Sequence, residues 1–395
     1  MTRPYIPNVK GDSSLQEISE IVVSWFHASS PEVITSQTKK WRRQHWNAAC
    51  WNIWLHGIGP LLYGCLSKGQ ILNVFPDFFW DYLADQYRLN SQRILMLKTE
   101  LSKILRMADN ESIEIVPLKG SILIYHYYKE PALRPMSDLD LLIHPSDSKK
   151  LDELLLDSGY KILEAMKRHR VYVPSNKSRK GVYQGEHPDN PWQIEVHTEI
   201  YESFCGKQCN ITDRLWDGCR SGMFGKEQGM LMRPANLLTH LLLHASGHIY
   251  INASRFMHLY DISLVGSRLT AGEWEHLTRI IASESHILYT PLPLVKKYIG
   301  WAAPSGIMEK LALETPSRLK TFLKGKTISY FSYCNIFPIW PSDKLRWCEN
   351  SYSFICSMFR MLAPPQIWHN FLWLLRMILG LSRYFSFSIH LIRRK

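Results

Sequence analysis

The chain has 395 residues, 46% of them hydrophobic and 21% charged, a balance that excludes a disordered chain and leaves room for two or three packed units. Lys and Arg exceed Asp and Glu by 47 to 35, and the net charge of +12 suits anionic partners such as nucleotides, RNA or acidic lipid without choosing among them. The eight cysteines show no CxxC pair; Cys205, Cys209 and Cys219 cluster only loosely, which argues against a disulfide scaffold or a zinc finger and for reduced thiols in a cytoplasmic protein.

The opening MTRPYIPNVKGDSS is polar and does not read as a secretory leader. Residues 13–107 read as helices. In SLQEISEIVVSWF the apolar positions Leu15, Ile18, Ile21, Val22 and Trp25 recur at three-four spacing, with Ser13 or Ser14 as the cap. Trp41, Trp46, Trp51 and Trp54 stand at helical spacing and are expected in a core rather than on a base-stacking surface.

After Asp109-Asn110 the period becomes strand-like. SIEIVP predicts a short strand, KGSILIYHYY a helix opening at Gly120, SDLDLLIH a central strand, and PSDSKKLDELLLDSGY a helix stopped at Gly159. YKILEA, HRVYVP, GVYQ and WQIEVHTEI continue as strands, so residues 112–200 form a small mixed sheet with helices. From about 230 the helical pattern returns and runs to about 300. The remainder, broken by GWAAPSG and FPIWPSDK, has no clear period.

FLWLLRMILGLSRYFSFSIHLI, 371–392, is long and apolar, but Arg376 and Arg383 each cost roughly 2.5–3.5 kcal/mol near a bilayer centre, so no transmembrane helix is expected. Six Lys/Arg and no Asp/Glu follow from Arg360 onward, which allows peripheral membrane contact by a basic amphipathic helix; the simpler reading packs this helix on the body.

The chemistry concentrates in LKGSILIYHYYKEPALRPMSDLDLLIH, 118–144. In a strand Asp138 and Asp140 share one face, roughly 6.6–7 Å apart, while Leu139 and Leu141 face the other way. Two such carboxylates repel, and a divalent cation removes the penalty: Mg²⁺ takes one or two carboxylates together with phosphate oxygens and water. The KGS step supplies a phosphate cradle, because Gly120 permits close backbone approach, the helix start offers N–H groups, and Ser121 brings a hydroxyl. Lys119 adds a cation. In WQIEVHTEI, Glu195 and His197 share a face; Glu195 is expected as third metal ligand or base, with His197 orienting it or serving as the alternative base and Glu199 in reserve.

These segments, with IEVH and LLLHASGHIYINASRFMHLYDISLV followed by EWEHL, resemble the uncharacterised nucleotidyltransferase family of the DNA polymerase β-like superfamily over roughly residues 40–300. The resemblance implies an α+β fold in which a polymerase β-like core is flanked by N- and C-terminal helical domains. It divides the chain into a helical region 1–110, a nucleotidyltransferase core 111–205, a helical domain 206–300 and a mainly helical, basic segment 301–395. It also implies transfer of an NMP from an NTP to a hydroxyl-type acceptor with release of pyrophosphate. The catalytic and metal-binding residues implied are Asp138, Asp140 and Glu195, holding Mg²⁺, two ions in the expected form. The nucleotide-binding set is Lys119, Gly120, Ser121 and Arg134, whose guanidinium can fork onto a triphosphate or pair with Glu130.

The acceptor stays open among peptide or protein, small molecule and RNA. The alternatives are an inactive nucleotide- or RNA-binding adaptor and a toxin-like transferase acting on tRNA. Seven Lys/Arg against one Glu between 161 and 180, including Lys167, Arg168 and Arg170, make either an RNA edge or a solvated hairpin. His240, His244 and His248 stand four apart on one helix; with no carboxylate or cysteine placed to complete a metal site, a packed helix is the favoured reading.

Overall fold

The computed structural model describes residues 15–27, 30–67, 74–166, 168–176, 186–204, 207–280, 285–329 and 347. Ser13 and Ser14, the strand read in GVYQ, FPIWPSDK and the 371–392 segment lie outside these residues. Among the described residues no helix is long and apolar enough to cross a membrane.

The N-terminal part is helical, as its periodicity predicts: α1 (Leu15–Ser24), α2 (Pro31–Thr38), α3 (Arg43–His56), α4 (Gly59–Leu66) and the 34-residue α5 (Asp77–Asn110). Trp46 and Trp51 are buried, and Trp25 packs against Trp41, Trp46, Phe75 and Phe79 at centroid distances of 5.3–6.2 Å. These indoles build a core, not a stacking platform.

The sheet follows. Its strands are β1 (Val116–Pro117), β2 (Asp138–Leu142), β3 (Tyr160–Met166), β4 (His169–Pro174) and β5 (Gln193–His197), in the order β1-β2-β5-β4-β3. Helix α6 (Lys119–His126) connects β1 to β2, and α7 (Ser148–Asp157) leads from β2 to β3 through Gly159, whose φ of +89° makes a turn that suits glycine. β2 and β5 are parallel and the other pairs antiparallel, so the sheet is mixed. Leu139 and Leu141 of β2 and Ile194 and Val196 of β5 are buried, which leaves the alternate positions to the opposite face.

Two hairpins then depart from the expected pattern. β6 (Tyr201–Phe204) pairs with β7 (Lys207–Asn210), and after α8 (Thr212–Trp216), β8 (Arg220–Phe224) pairs with β9 (Glu227–Leu231). The second lies inside the stretch expected to be helical. Gly225, at φ +72°, forms its turn, and its strands are half-buried or exposed apart from Phe224, so they carry no apolar alternation to read. Helices α9 (Pro234–Tyr250), α10 (Phe256–Gly266) and α11 (Ala271–Ile280) follow as expected. Helices α12 (Ser285–Tyr289), α13 (Leu292–Ile299), α14 (Ser305–Glu314) and α15 (Ser317–Lys324) continue the series past residue 300. One connected apolar core joins Ile18, Leu97, Leu139, Ile194, Leu241 and Leu319.

Helix α5 ties the helical part to the sheet through a polar side chain. Arg93 is only 2% exposed. Its Nε donates to the Met136 carbonyl (2.6 Å), Nη1 to those of His187 (3.2 Å) and Asn190 (2.9 Å), and Nη2 to that of Pro191 (3.0 Å). Met136 enters β2 and Pro191 enters β5, so one guanidinium sets the path of both strands. An Arg93→Met exchange removes the donors to the Met136, His187, Asn190 and Pro191 carbonyls and is expected to cost about 3 kcal/mol of unfolding free energy. Urea denaturation of both proteins measures it; a loss under about 1 kcal/mol, the net worth of a single ordinary hydrogen bond, would show that these carbonyls do not depend on Arg93.

Candidate active site

Register brings the acidic side chains together. In the β2–β5 ladder Asp138 stands beside Gln193, Asp140 beside Glu195 and Leu142 beside His197. Parallel partners point to the same face, so Asp138, Asp140, Glu195 and His197 share one surface of the sheet. The β4–β5 ladder adds His169 opposite His197, their rings stacked at 4.6 Å. Sequence reasoning missed His169. It sits at the start of HRVYVP among basic residues, and only the cross-strand register reveals its position.

Asp140 is 2% exposed and depends on a counter-charge. Lys119 Nζ lies 2.7 Å from its Oδ1, and His197 Nε2 lies 3.4 Å from the same oxygen. Lys119 reaches it from a backbone with φ of +44°, a left-handed conformation that costs a non-glycine residue about 1–3 kcal/mol. Burial works against both charges. The Lys119 ammonium and His197 nevertheless hold the Asp140 carboxyl well below its usual range, and Asp140, Asp138 and Glu195 hold the ammonium above its own. Asp138, half-buried and lacking a cation of its own, goes the other way: burial and the neighbouring Asp140 push it up to about 6. Glu195 accepts a hydrogen bond from Gln193 Nε2 (2.5 Å), with His169 Nε2 at 3.5 Å and His197 Nε2 at 3.8 Å from its Oε2. Burial raises its pKa, but the contact with His169 prevails and leaves it lowered.

At the start of α6, Ser121 is fully buried and its Oγ has no hydrogen-bond partner among the described residues. An orphan hydroxyl at a helix start, beside carboxylates, fits a phosphate oxygen. Oxygen donors on adjacent strands fit a hard divalent cation such as Mg²⁺. His169, Glu195 and His197 also bring one donor atom each within 4.8 Å of the others, a mixed set suited to a softer ion. A cavity beside the end of α5, lined by Asp109, Ser112, Glu114 and Gln228, contains none of these side chains.

Arg134 is placed differently from the expectation. Its Nη2 lies 2.7 Å from Asp261 Oδ2 and its Nε 3.1 Å from both carboxylate oxygens, so the fork that was expected to hold a triphosphate, or Glu130, holds α10 instead. Tyr128 donates to the same carboxylate at 2.8 Å. Asp261 gave no signal in sequence, because an acid in an amphipathic helix reads as solvent-facing; here it is 1% exposed. A Cβ at Gly120 would collide with Arg134 Nη1 and lie 3.0 Å from Met136, so the glycine is needed for internal packing whatever it does for a ligand.

The basic stretch is similarly engaged. The Arg168 guanidinium stacks 3.3 Å from the centre of the Tyr201 ring, and Arg170 pairs with Asp152. Lys167 lies outside the described residues. Glu199 is exposed beyond the end of β5.

The chain matches the uncharacterised nucleotidyltransferase family over residues 42–286, and belongs to it. No curated protein matches. Solved structures similar to it include the antibiotic-resistance factor ANT(2'')-Ia, with a TM-score of 0.35 and 14% identity, covering 48% of this chain and 93% of that one. Another is an antigenic nucleotidyltransferase-like protein from Paracoccidioides brasiliensis, with a TM-score of 0.30 and 14% identity, covering 54% of this chain and 96% of that one.

The crowding at Asp138 has a measurable consequence. Its folded pKa lies above the unfolded one, so ionising it destabilises the metal-free fold as pH rises through about 6, and below about pH 4 the effect is absent. Asp138→Asn removes that charge. In chelator-treated protein the variant is expected to melt above the parent at pH 7.5 and level with it near pH 4; a variant that melts below the parent at pH 7.5 would contradict the crowding.

Proposed function

We propose that this member of the uncharacterised nucleotidyltransferase family transfers an NMP from an NTP to an acceptor hydroxyl, releasing pyrophosphate, in the cytoplasm. The reading rests on one observation: Asp138, Asp140 and Glu195 share a sheet face, and the helix that carries the buried Ser121 hydroxyl starts at Lys119, which contacts Asp140. A divalent cation, Mg²⁺ by its preference for oxygen, would be held by Asp138 and Asp140 with Glu195 beside them and would supply Lewis-acid polarisation of the phosphoryl group.

The chain's own groups supply the rest. The Ser121 hydroxyl and the N–H groups opening α6 receive phosphate oxygens. Lys119 stays on Asp140, keeping that carboxylate ionised and adding positive charge near the triphosphate. Glu195, fixed by Gln193 and His169, accepts the proton of the attacking hydroxyl. The acceptor oxygen bonds to the α-phosphorus while the bond from that phosphorus to the bridging oxygen breaks, and the electron pair leaves with pyrophosphate. His197, bridging Asp140 and Glu195, positions both carboxylates. Arg168 stacks on Tyr201 and Arg170 pairs with Asp152, and the acceptor class stays open among peptide, protein, small molecule and RNA.

Incubation with α-labelled NTPs, Mg²⁺ and a panel of peptide, protein, small-molecule and RNA acceptors tests the reading. Asp138→Asn and the Asp138→Asn/Asp140→Asn pair are expected to lose at least about 100-fold in labelling and pyrophosphate release. Equal labelling by parent and variants would sink it. Mg²⁺-dependent NTP binding without turnover across the panel would favour the adaptor instead.

A further inference from the structure

We propose that His244 and His248 of α9 and His258 of α10 form a three-imidazole site for a zinc-class transition-metal ion, separate from the carboxylate set. The four-residue step from His244 to His248 places both on one helix face, where a helix alone provides two ligands and no third. The crossing of α10 over α9 supplies it. One ring nitrogen from each histidine lies within 4.8 Å of the other two. The ring centroids are 4.4 Å (His244–His248), 4.6 Å (His248–His258) and 5.2 Å (His244–His258) apart, with planes inclined at 58–68°. Zn–N bonds of about 2.0–2.1 Å put tetrahedral donors about 3.4 Å apart, a contraction within reach of side-chain rotation.

The protonation pattern agrees. His248 Nδ1 lies 3.1 Å from the Ala253 carbonyl, an acceptor only, so this nitrogen carries the hydrogen and Nε2 keeps its lone pair. His258 Nδ1 is buried with no hydrogen-bond partner among the described residues. The Glu202 carboxyl lies against Gly247, where a Cβ would come within 2.7–3.0 Å of it. Three nitrogen donors suit zinc or cobalt(II) and not Mg²⁺, which takes oxygen. Three protein ligands also leave a fourth position for water.

The test uses the full chain carrying His169→Gln and Glu195→Gln, which leave His197 as the one donor of the His169–Glu195–His197 group, stripped with chelator and titrated with Zn²⁺ and Co²⁺ in excess Mg²⁺. The expected result is one zinc ion per chain bound more tightly than about 1 µM, and visible cobalt absorption of low-coordinate geometry. Adding His244→Gln or His258→Gln is expected to weaken binding at least about 100-fold. Binding unchanged by either substitution, or no binding tighter than about 10 µM, would overturn the site. Should the histidine variants fail to fold by circular dichroism, carbethoxylation of the otherwise unaltered chain decides: zinc must protect His244, His248 and His258, and equal labelling with and without zinc would equally overturn it.

Discussion

A carboxylate as buried as Asp140 cannot stay ionised without a cation in contact, and much of the site's architecture follows from meeting that need. The cation is Lys119, reached from the first residue of α6 through a left-handed backbone. That geometry makes the turn after β1 abrupt, points the lysine into the sheet face rather than outward, and leaves Gly120 and Ser121 as the next residues over the acids. Leu118 N–H donates to the Asp140 carbonyl at 2.9 Å, so the same residue fixes the turn through its main chain as well as its side chain. The local strain and the ion pair are one arrangement: the electrostatic gain holds the backbone in a conformation that it would otherwise leave.

Two buried guanidinium groups frame this arrangement from outside the sheet. Arg93, on α5, takes the carbonyls of the segments that enter β2 and β5. Arg134, just before β2, takes the Asp261 carboxylate on α10 and lies against Gly120. The acid face is thus held from both helical sides. Both arginines are buried, and each satisfies donors on the protein itself, as a buried charge must.

Much of this was legible in the sequence, and the exceptions have a common cause. Alternation in DLDLL and QIEVH identifies which acids share a face, because strand geometry is local. That the two strands are parallel neighbours in matching register is not local, and follows only from how the crossover through β3 and β4 closes. Arg134 shows the limit from the other direction. Its residue type suits a phosphate, but the acid that claims it is 127 positions away. His169 and Asp261 were invisible for the same reason, as each acquires meaning from a partner on another element. Arg93 sits in a helical run where a charged residue normally marks the solvated side, and only the loops that it faces make it internal.

The Arg93 fork also limits how this chain can be divided. A guanidinium on the long N-terminal helix directs the course of residues 136 and 187–191, so the acid-bearing sheet is not a portable cassette. A recombination junction placed between that helix and the sheet would separate the strands from the group that aligns them, even where every acid was retained. Shuffled descendants of such a chain would have to carry the helix along or rebuild the same four carbonyl contacts from another direction.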